Sequence, residues 1–384
     1  MKTAVPFSLM VKPAGNACNM RCTYCYYITN QTSSAHFMSE ETLEKMIQNY
    51  FESSPGPVFS FVWHGGEPTL CGISFFEKAV ELQKKYLPEK CECWNNLQTN
   101  GLGLNEEWCS FLKKNHFDVG ISIDGTKMIH DHYRSDTSGN PTYETIRKNI
   151  SLLLRHGIRP DLLCTLNEES AKRPSSVYSS LKNLKTGWVQ FIPVVNHDDK
   201  GNVSGESVRP EAFGHFLREI FREWVLKDLG THDVQMFAEL LNIYNGGIPG
   251  VCWLSETCGR APVVEYDGSI YSCDHFVTPA HRIGNVHENS FTECMESDLQ
   301  NSFACSKKDE LSSRCLKCPW LSFCHGGCLK DRFRRDHEND LCEGYMMFYE
   351  YADPVFRRII DLLHEHVKVE DIRKIIRREG LLSQ

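Results

Sequence analysis

From residue 7 to about residue 193, short apolar runs rich in β-branched and aromatic residues alternate with stretches whose apolar positions recur at helical spacing. The runs 7–11, 58–63, 93–99, 118–123, 160–166 and 188–193 read as strands. Between them, Tyr143, Ile146, Ile150, Leu153 and Leu154 fall on one helical face. Ser39 is a suitable N-cap before Glu40 and Glu41, whose charges favour a helix start. Six strand–helix units in a row predict a parallel sheet with right-handed crossovers, closed either as a doubly wound sheet or as a complete or partial barrel. The unusual polar and glycine residues follow strand ends: Cys18, Cys22 and Cys25 after the first, His64-Gly65-Gly66-Glu67 after the second, and Gln98-Thr99-Asn100 closing the third. Ser122 and Asp124 close the fourth, and Gln190 lies in the sixth. Special residues gathered on the C-terminal rim of several strands are the mark of an α/β barrel.

Beyond residue 195 the pattern changes. Residues 196–210 are polar and glycine-containing and read as a long loop. Helical patterns follow at 211–228 and 233–245, and Gly246-Gly247 with Pro249-Gly250 ends them. The region 251–345 is short-stranded and dense in cysteine, and a mixed-charge helical tail begins at Asp353. The expected division is a barrel over 1–245, a cysteine-rich domain over 246–350 and a helical tail over 351–384. No apolar run approaches the roughly 18 residues of a membrane span, and the N-terminal residues lack the apolar core of a signal peptide. The formal net charge is −8, with no basic block, which excludes a nucleic-acid footprint. A soluble cytoplasmic protein, with no membrane and no nucleic-acid partner, is expected.

Cysteine changes the picture, with 18 in the chain. In a long chain without an export signal this points to metal or redox chemistry rather than disulfides. Cys18-x3-Cys22-x2-Cys25 groups three thiols with no fourth nearby. Three thiolates on a four-iron cluster leave one iron open to a ligand that is not protein; the alternative is a zinc site completed by a distant Cys or His.

That spacing resembles the radical S-adenosylmethionine enzymes, whose fold is a partial (β/α)6 TIM-like barrel. Gly65-Gly66-Glu67-Pro68 is similar to that family's glycine-rich motif after the second strand, which meets the methionine amino group of the cofactor. A ligand can approach backbone closely where Cβ is absent. A second constellation, Cys258-x9-Gly268-x4-Cys273, Cys315-x2-Cys318-x5-Cys324-x3-Cys328 and Cys342, with Cys252 upstream, holds enough thiols for two further clusters. It resembles the SPASM domain, a small extension of short strands and helices. The resemblance implies that Cys252, Cys258, Cys273 and Cys328 hold a nearer auxiliary cluster and Cys315, Cys318, Cys324 and Cys342 an outer one, although spacing alone leaves interleaved ligand sets open. Three 4Fe–4S clusters and S-adenosyl-L-methionine are thus the implied cofactors. Cys71, Cys91, Cys93, Cys109, Cys164, Cys294 and Cys305 read as structural.

Within that family, Val11-Lys12-Pro13, Cys22-Thr23-Tyr24-Cys25-Tyr26-Tyr27, Leu97-Gln98-Thr99-Asn100-Gly101, Ser122-Ile123-Asp124-Gly125, Gln190-Phe191-Ile192 and Tyr271-Ser272-Cys273-Asp274 resemble the anaerobic sulfatase-maturating enzymes. The resemblance implies oxidation of a sulfatase cysteine or serine to Cα-formylglycine, by hydrogen abstraction from Cβ by a 5′-deoxyadenosyl radical. The implied partners are an unfolded Cys/Ser-x-Pro/Ala-x-Arg segment and an electron donor such as flavodoxin or ferredoxin. It further implies S-adenosylmethionine contacts at Tyr24, Gly66, Ser122, Arg134 and Val195, and a catalytic base at Asp274. An ordinary Asp (pKa about 3.9) accepts a proton from a thiol (about 8.5) only uphill, by about 6 kcal/mol, so transfer must accompany or follow radical formation. A carboxyl raised by burial would serve better, and His275 is the rival base. The alternative activity is crosslinking of a ribosomally made peptide; its maturases often carry a leader-binding domain, for which the 17 residues before Cys18 leave no room.

Overall fold

The computed structural model describes residues 2–27, 36–197, 203, 205–333 and 336–382. The chain forms two compact units, Met1–Ser122 with Asp131–Pro160 and Cys258–Ser306, and Ile123–His130 with Asp161–Thr257 and Lys307–Gln384.

The first unit is built on strands β1 (Leu9–Lys12), β3 (Val58–Trp63), β4 (Glu92–Thr99) and β5 (Asp118–Ser122), each parallel to the next. Their alternate residues are buried, as Phe59, Phe61 and Trp63 are in β3. Between strands run α1 (Glu40–Ser53), α2 (Ile73–Tyr86) and α3 (Glu106–Lys114), and α4 (Tyr143–Arg155) follows β5. Ser39 caps α1 by accepting the Thr42 N–H at 3.1 Å, as expected. Leu43, Met46, Ile47, Tyr50 and Phe51 form its buried face. A two-stranded ribbon pairs β2 (Met20–Cys22) antiparallel with β6 (Arg134–Asp136).

On the other edge, β1 pairs in parallel with β10 (Val263–Glu265), which continues antiparallel into β11 (Ser269–Tyr271) and β12 (Arg282–Asn285). Half of the cysteine-rich region is therefore woven into the same sheet as the first strand, with Lys12 in register with Glu265.

The second unit carries β7 (Asp161–Leu166), β8 (Trp188–Pro193) and β9 (Asp233–Val234), all parallel. Its helices are α5 (Pro174–Lys182), α6 (Pro210–Glu223), α7 (Gln235–Tyr244), α9 (Cys342–His364) and α10 (Val369–Glu379); α8 (Asp298–Asp309) bridges the chain between the cysteine segments. Helices α6 and α9 cross on two glycines: a Cβ at Gly214 would lie 2.8 Å from the Gly344 carbonyl oxygen. Two expectations shift. The pattern at 211–228 is an α-helix to Glu223 followed by a π turn at Trp224–Asp228. The C-terminal helix begins at Cys342, well before Asp353, and runs through Pro354. The carbonyl that Pro354 leaves without an N–H belongs to exposed Glu350, where water can serve it. Among the described residues no helix is long and apolar enough to cross a membrane. Of the 196–210 loop, 198–202 and 204 lie outside the described residues.

Candidate active site

Cys18 and Cys22 flank the start and end of β2, and in the ribbon Cys22 is in register with Arg134. Cys25 follows in a turn closed by its N–H to the Cys22 carbonyl at 3.1 Å. Arg134 is buried, and its guanidinium donates to the Tyr24 hydroxyl at 2.8 Å, so the ribbon brings these two predicted residues together beside the cysteine triplet. Cys18 Sγ accepts the Met20 N–H at 3.4 Å and the Asn100 side-chain amide at 3.7 Å. Burial pushes the Cys18 thiol up to about 11. Such a sulfur becomes a thiolate when a cation binds it.

The glycine turn after β3 packs on this loop. Gly66 donates to the Gly15 carbonyl at 2.8 Å and Glu67 to the Ala17 carbonyl at 2.7 Å. A Cβ at Gly66 would stand 2.1 Å from the Ala17 oxygen. The absence of a Cβ at Gly66 is what lets the glycine turn pack this closely on the cysteine loop. Glu67 is fully buried and accepts from the Thr69 N–H and hydroxyl, the Thr99 hydroxyl and the Asn100 N–H, which fixes Asn100 at the end of β4. Gln98 donates to Ser122 Oγ at 3.1 Å across β4 and β5. Val195, in the second unit, is buried just beyond β8.

Asp274 opens a 3₁₀ turn directly after Cys273. Its Oδ2 accepts the Tyr26 hydroxyl at 2.6 Å, and its Oδ1 lies 2.5 Å from Lys12 Nζ. Lys12 is fully buried, stands 3.7 Å over the Tyr27 ring and 3.9 Å from Glu265. Tyr27 in turn donates to Glu265 at 2.7 Å. Burial alone would push the Asp274 carboxyl up, but the Lys12 ammonium, with His64 and His275, holds it well below the usual carboxylate range. The expectation of a raised carboxyl is therefore corrected: Asp274 is a fully ionised acceptor. Glu265 goes the other way, raised by burial in spite of Lys12. Asp274 is thus charged but a weaker base than an ordinary carboxylate, which makes proton acceptance more uphill still and ties it more firmly to a step that accompanies or follows radical formation. His275 packs beside Tyr26 with the rings tilted by 52° and their centroids 5.2 Å apart. Sequence reasoning gave no role to Lys12, Tyr26, Tyr27 or Glu265. A lysine closing an otherwise apolar buried strand was the available signal.

In the second unit Cys315, Cys318, Cys324 and Cys342 line one pocket with Trp320, Tyr345 and Tyr349. Burial pushes the Cys324 thiol up to about 11 and the Cys342 thiol to about 12. Among the described residues no three Cys, His, Asp or Glu side chains converge closely enough for a single metal ion. Four sulfurs around one pocket match the thiolate count of a 4Fe–4S cluster. Cys328 is within electrostatic reach of Cys252 in this unit, and Cys258 and Cys273 belong to the first. Every cysteine is free of disulfides; Cys109, Cys164 and Cys294 are buried.

Comparison with known proteins places this geometry. The radical SAM superfamily model matches residues 13–173, and the SPASM iron–sulfur cluster-binding domain model matches residues 252–319. The chain is 38% identical over 375 residues to the serine-type anaerobic sulfatase-maturating enzyme of Bacteroides thetaiotaomicron, covering 91% of this chain and 90% of that one. It is 34% identical to the cysteine-type enzyme of Clostridium perfringens, over 91% of this chain and 97% of that one. Among solved structures it resembles native anSMEcpe with bound AdoMet and Cp18Cys peptide, with a TM-score of 0.86, 34% identity, and coverage of 93% and 99%.

Proposed function

Because the chain belongs to the anaerobic sulfatase-maturating enzymes, we propose that it oxidises a cysteine or serine of a sulfatase to Cα-formylglycine, with Asp274 as the proton acceptor. The observation that carries the assignment is the ionised Asp274 carboxylate, adjacent to Cys273 and held by Lys12 and Tyr26. On the family's pattern Cys18, Cys22 and Cys25 hold the first cluster, Tyr24, Gly66, Ser122, Arg134 and Val195 contact S-adenosylmethionine, and the eight C-terminal cysteines hold the auxiliary pair. The residues present suit these groups: three thiols grouped on and beside β2 at Cys18, Cys22 and Cys25, and four sulfurs around one pocket in the second unit. The division at about residue 245 is supported by the matched regions 13–173 and 252–319 lying on either side of it, whereas α9 runs unbroken across the division at 350.

When bound, the first cluster and S-adenosylmethionine supply hydrogen-atom abstraction from the substrate Cβ. The balance of the oxidation falls to this chain. One hydrogen atom leaves Cβ, one proton leaves the thiol or hydroxyl for Asp274 Oδ, and one electron must also leave, for which auxiliary clusters held by the C-terminal cysteines would be the acceptor. The serine product is then the aldehyde; the cysteine product is a thioaldehyde, which water converts to the aldehyde with release of hydrogen sulfide. Tyr26 and Lys12 occupy both carboxylate oxygens and so fix the carboxylate's orientation. The substrate is an unfolded Cys/Ser-x-Pro/Ala-x-Arg segment, and a flavodoxin or ferredoxin supplies the first electron.

Anaerobic incubation of the reduced, cluster-loaded protein with two peptides differing only as Cys-x-Pro-x-Arg and Ser-x-Pro-x-Arg tests this. Loss of two hydrogens from the serine peptide, or that loss with exchange of sulfur for oxygen in the cysteine peptide, is the expected mass change. Cofactor cleavage without either change overturns the assignment.

A further inference from the structure

Beyond the cysteines, the second unit buries two cations. Lys307, in α8, is 0% exposed, and its ammonium donates to the carbonyls of Cys252 at 2.8 Å, Trp253 at 3.0 Å and Ser255. These carbonyls form the turn that carries Cys252. Arg332 is 7% exposed and donates to the carbonyls of Gly326 at 2.9 Å, Lys307 at 2.7 Å and His325 at 2.7 Å. Those of Gly326 and His325 belong to the loop between Cys324 and Cys328, where three successive residues, His325, Gly326 and Gly327, are left-handed. At Gly326 a Cβ would meet the Arg332 guanidinium at 2.3 Å, so the loop is shaped around that cation.

Burying an ammonium is costly, and the three carbonyl dipoles hold and orient its charge. The Lys307 charge sits between both sets of C-terminal ligands. It holds the Cys252 turn directly, and its own carbonyl is bound by Arg332, which also holds the loop between Cys324 and Cys328. A 4Fe–4S cluster with four thiolates carries net negative charge, and more of it when reduced. A fixed positive charge nearby favours the reduced form, because potential follows net charge and the surrounding hydrogen bonds.

We propose that Lys307, positioned by Arg332, is a built-in counter-charge of the auxiliary clusters that raises their reduction potential and so makes them acceptors for the electron released by substrate oxidation. This rests on the cluster assignment made above. Lys307 is a positioning residue, acting through the clusters and not on the substrate.

The test uses the full chain with Cys18→Ala, Cys22→Ala and Cys25→Ala, so that only the auxiliary clusters remain, titrated under anaerobic conditions and followed by electron paramagnetic resonance. In that background Lys307→Gln, which keeps hydrogen-bonding capacity without charge, should reduce the one-electron reduction equilibrium constant about tenfold, a midpoint more negative by about 59 mV. Lys307→Arg should stay near the parent value. Loss of iron in Lys307→Gln with retention in Lys307→Arg also supports a requirement for charge. An unchanged midpoint in Lys307→Gln with iron intact overturns the proposal, as does loss of iron in both variants, which makes Lys307 a structural strut. A parent without auxiliary cluster signals instead overturns the ligand assignment, and the two failures are told apart by iron content before any titration.

Discussion

Lys12 Nζ lies 2.5 Å from Asp274 Oδ1, joining the end of the first strand to the turn after Cys273. The pairing of β1 with β10 makes this possible by setting Lys12 in register with Glu265, from which β11 leads on to Cys273 and Asp274. A buried ammonium thus serves two carboxylates, and it is shorter by far to Asp274 than to Glu265. The pair gives the candidate base its charge state and its orientation together.

Removing one partner of such a pair leaves the other charge buried. Lys12→Met should cost about 3 kcal/mol in anaerobic denaturant unfolding. Lys12→Met combined with Asp274→Asn should cost less than the sum of the single changes, because the pair acts as a unit. Strict additivity would show that the two groups do not interact.

Gly66→Ala places a methyl group where the Ala17 carbonyl stands, on backbone that leads straight into Cys18. Either the cysteine loop or the glycine turn must move. Iron content should fall towards that of two clusters, with cofactor cleavage falling in parallel. Full iron and full cleavage would show that the loop can shift without consequence.

His64 closes the β1–β3 ladder, its N–H donating to the Val11 carbonyl at 2.8 Å. Burial, opposed by Asp274 and assisted by Lys12, holds its imidazole below the ordinary range. An unfolded histidine protonates near pH 6.5, where folded His64 stays neutral, so the unfolded state binds more protons. This contribution to stability is complete above that pH and is lost as pH falls from there towards the lowered folded value. His64→Gln should flatten that part of the curve of unfolding free energy against pH; an unchanged slope contradicts it.

The strands over 58–63 and 188–193 were legible to the residue, because β-branched and aromatic side chains act locally, with period-two burial besides in the first. The Ser39 cap was equally local. The cysteine spacings carried the chemistry, and Cys315, Cys318, Cys324 and Cys342 line one pocket. What stayed hidden depends on contacts far apart in sequence. Nothing near Val263 announces a parallel partner at Met10, and without that register nothing gives Lys12 its carboxylate partners. The direction of the Asp274 shift was hidden for the same reason, since burial, visible in principle, is outweighed by a lysine from another strand. Pro354 misled because a proline mid-helix is tolerated where the orphaned carbonyl faces water.

The most direct measurement compares 5′-deoxyadenosine and aldehyde formed by Asp274→Asn and by the parent protein on the same peptide. Asp274→Asn should still cleave S-adenosylmethionine while aldehyde formation falls at least about 100-fold, the usual contribution of a positioned general base. Full aldehyde yield from Asp274→Asn, with loss of that yield in His275→Gln, would contradict the account.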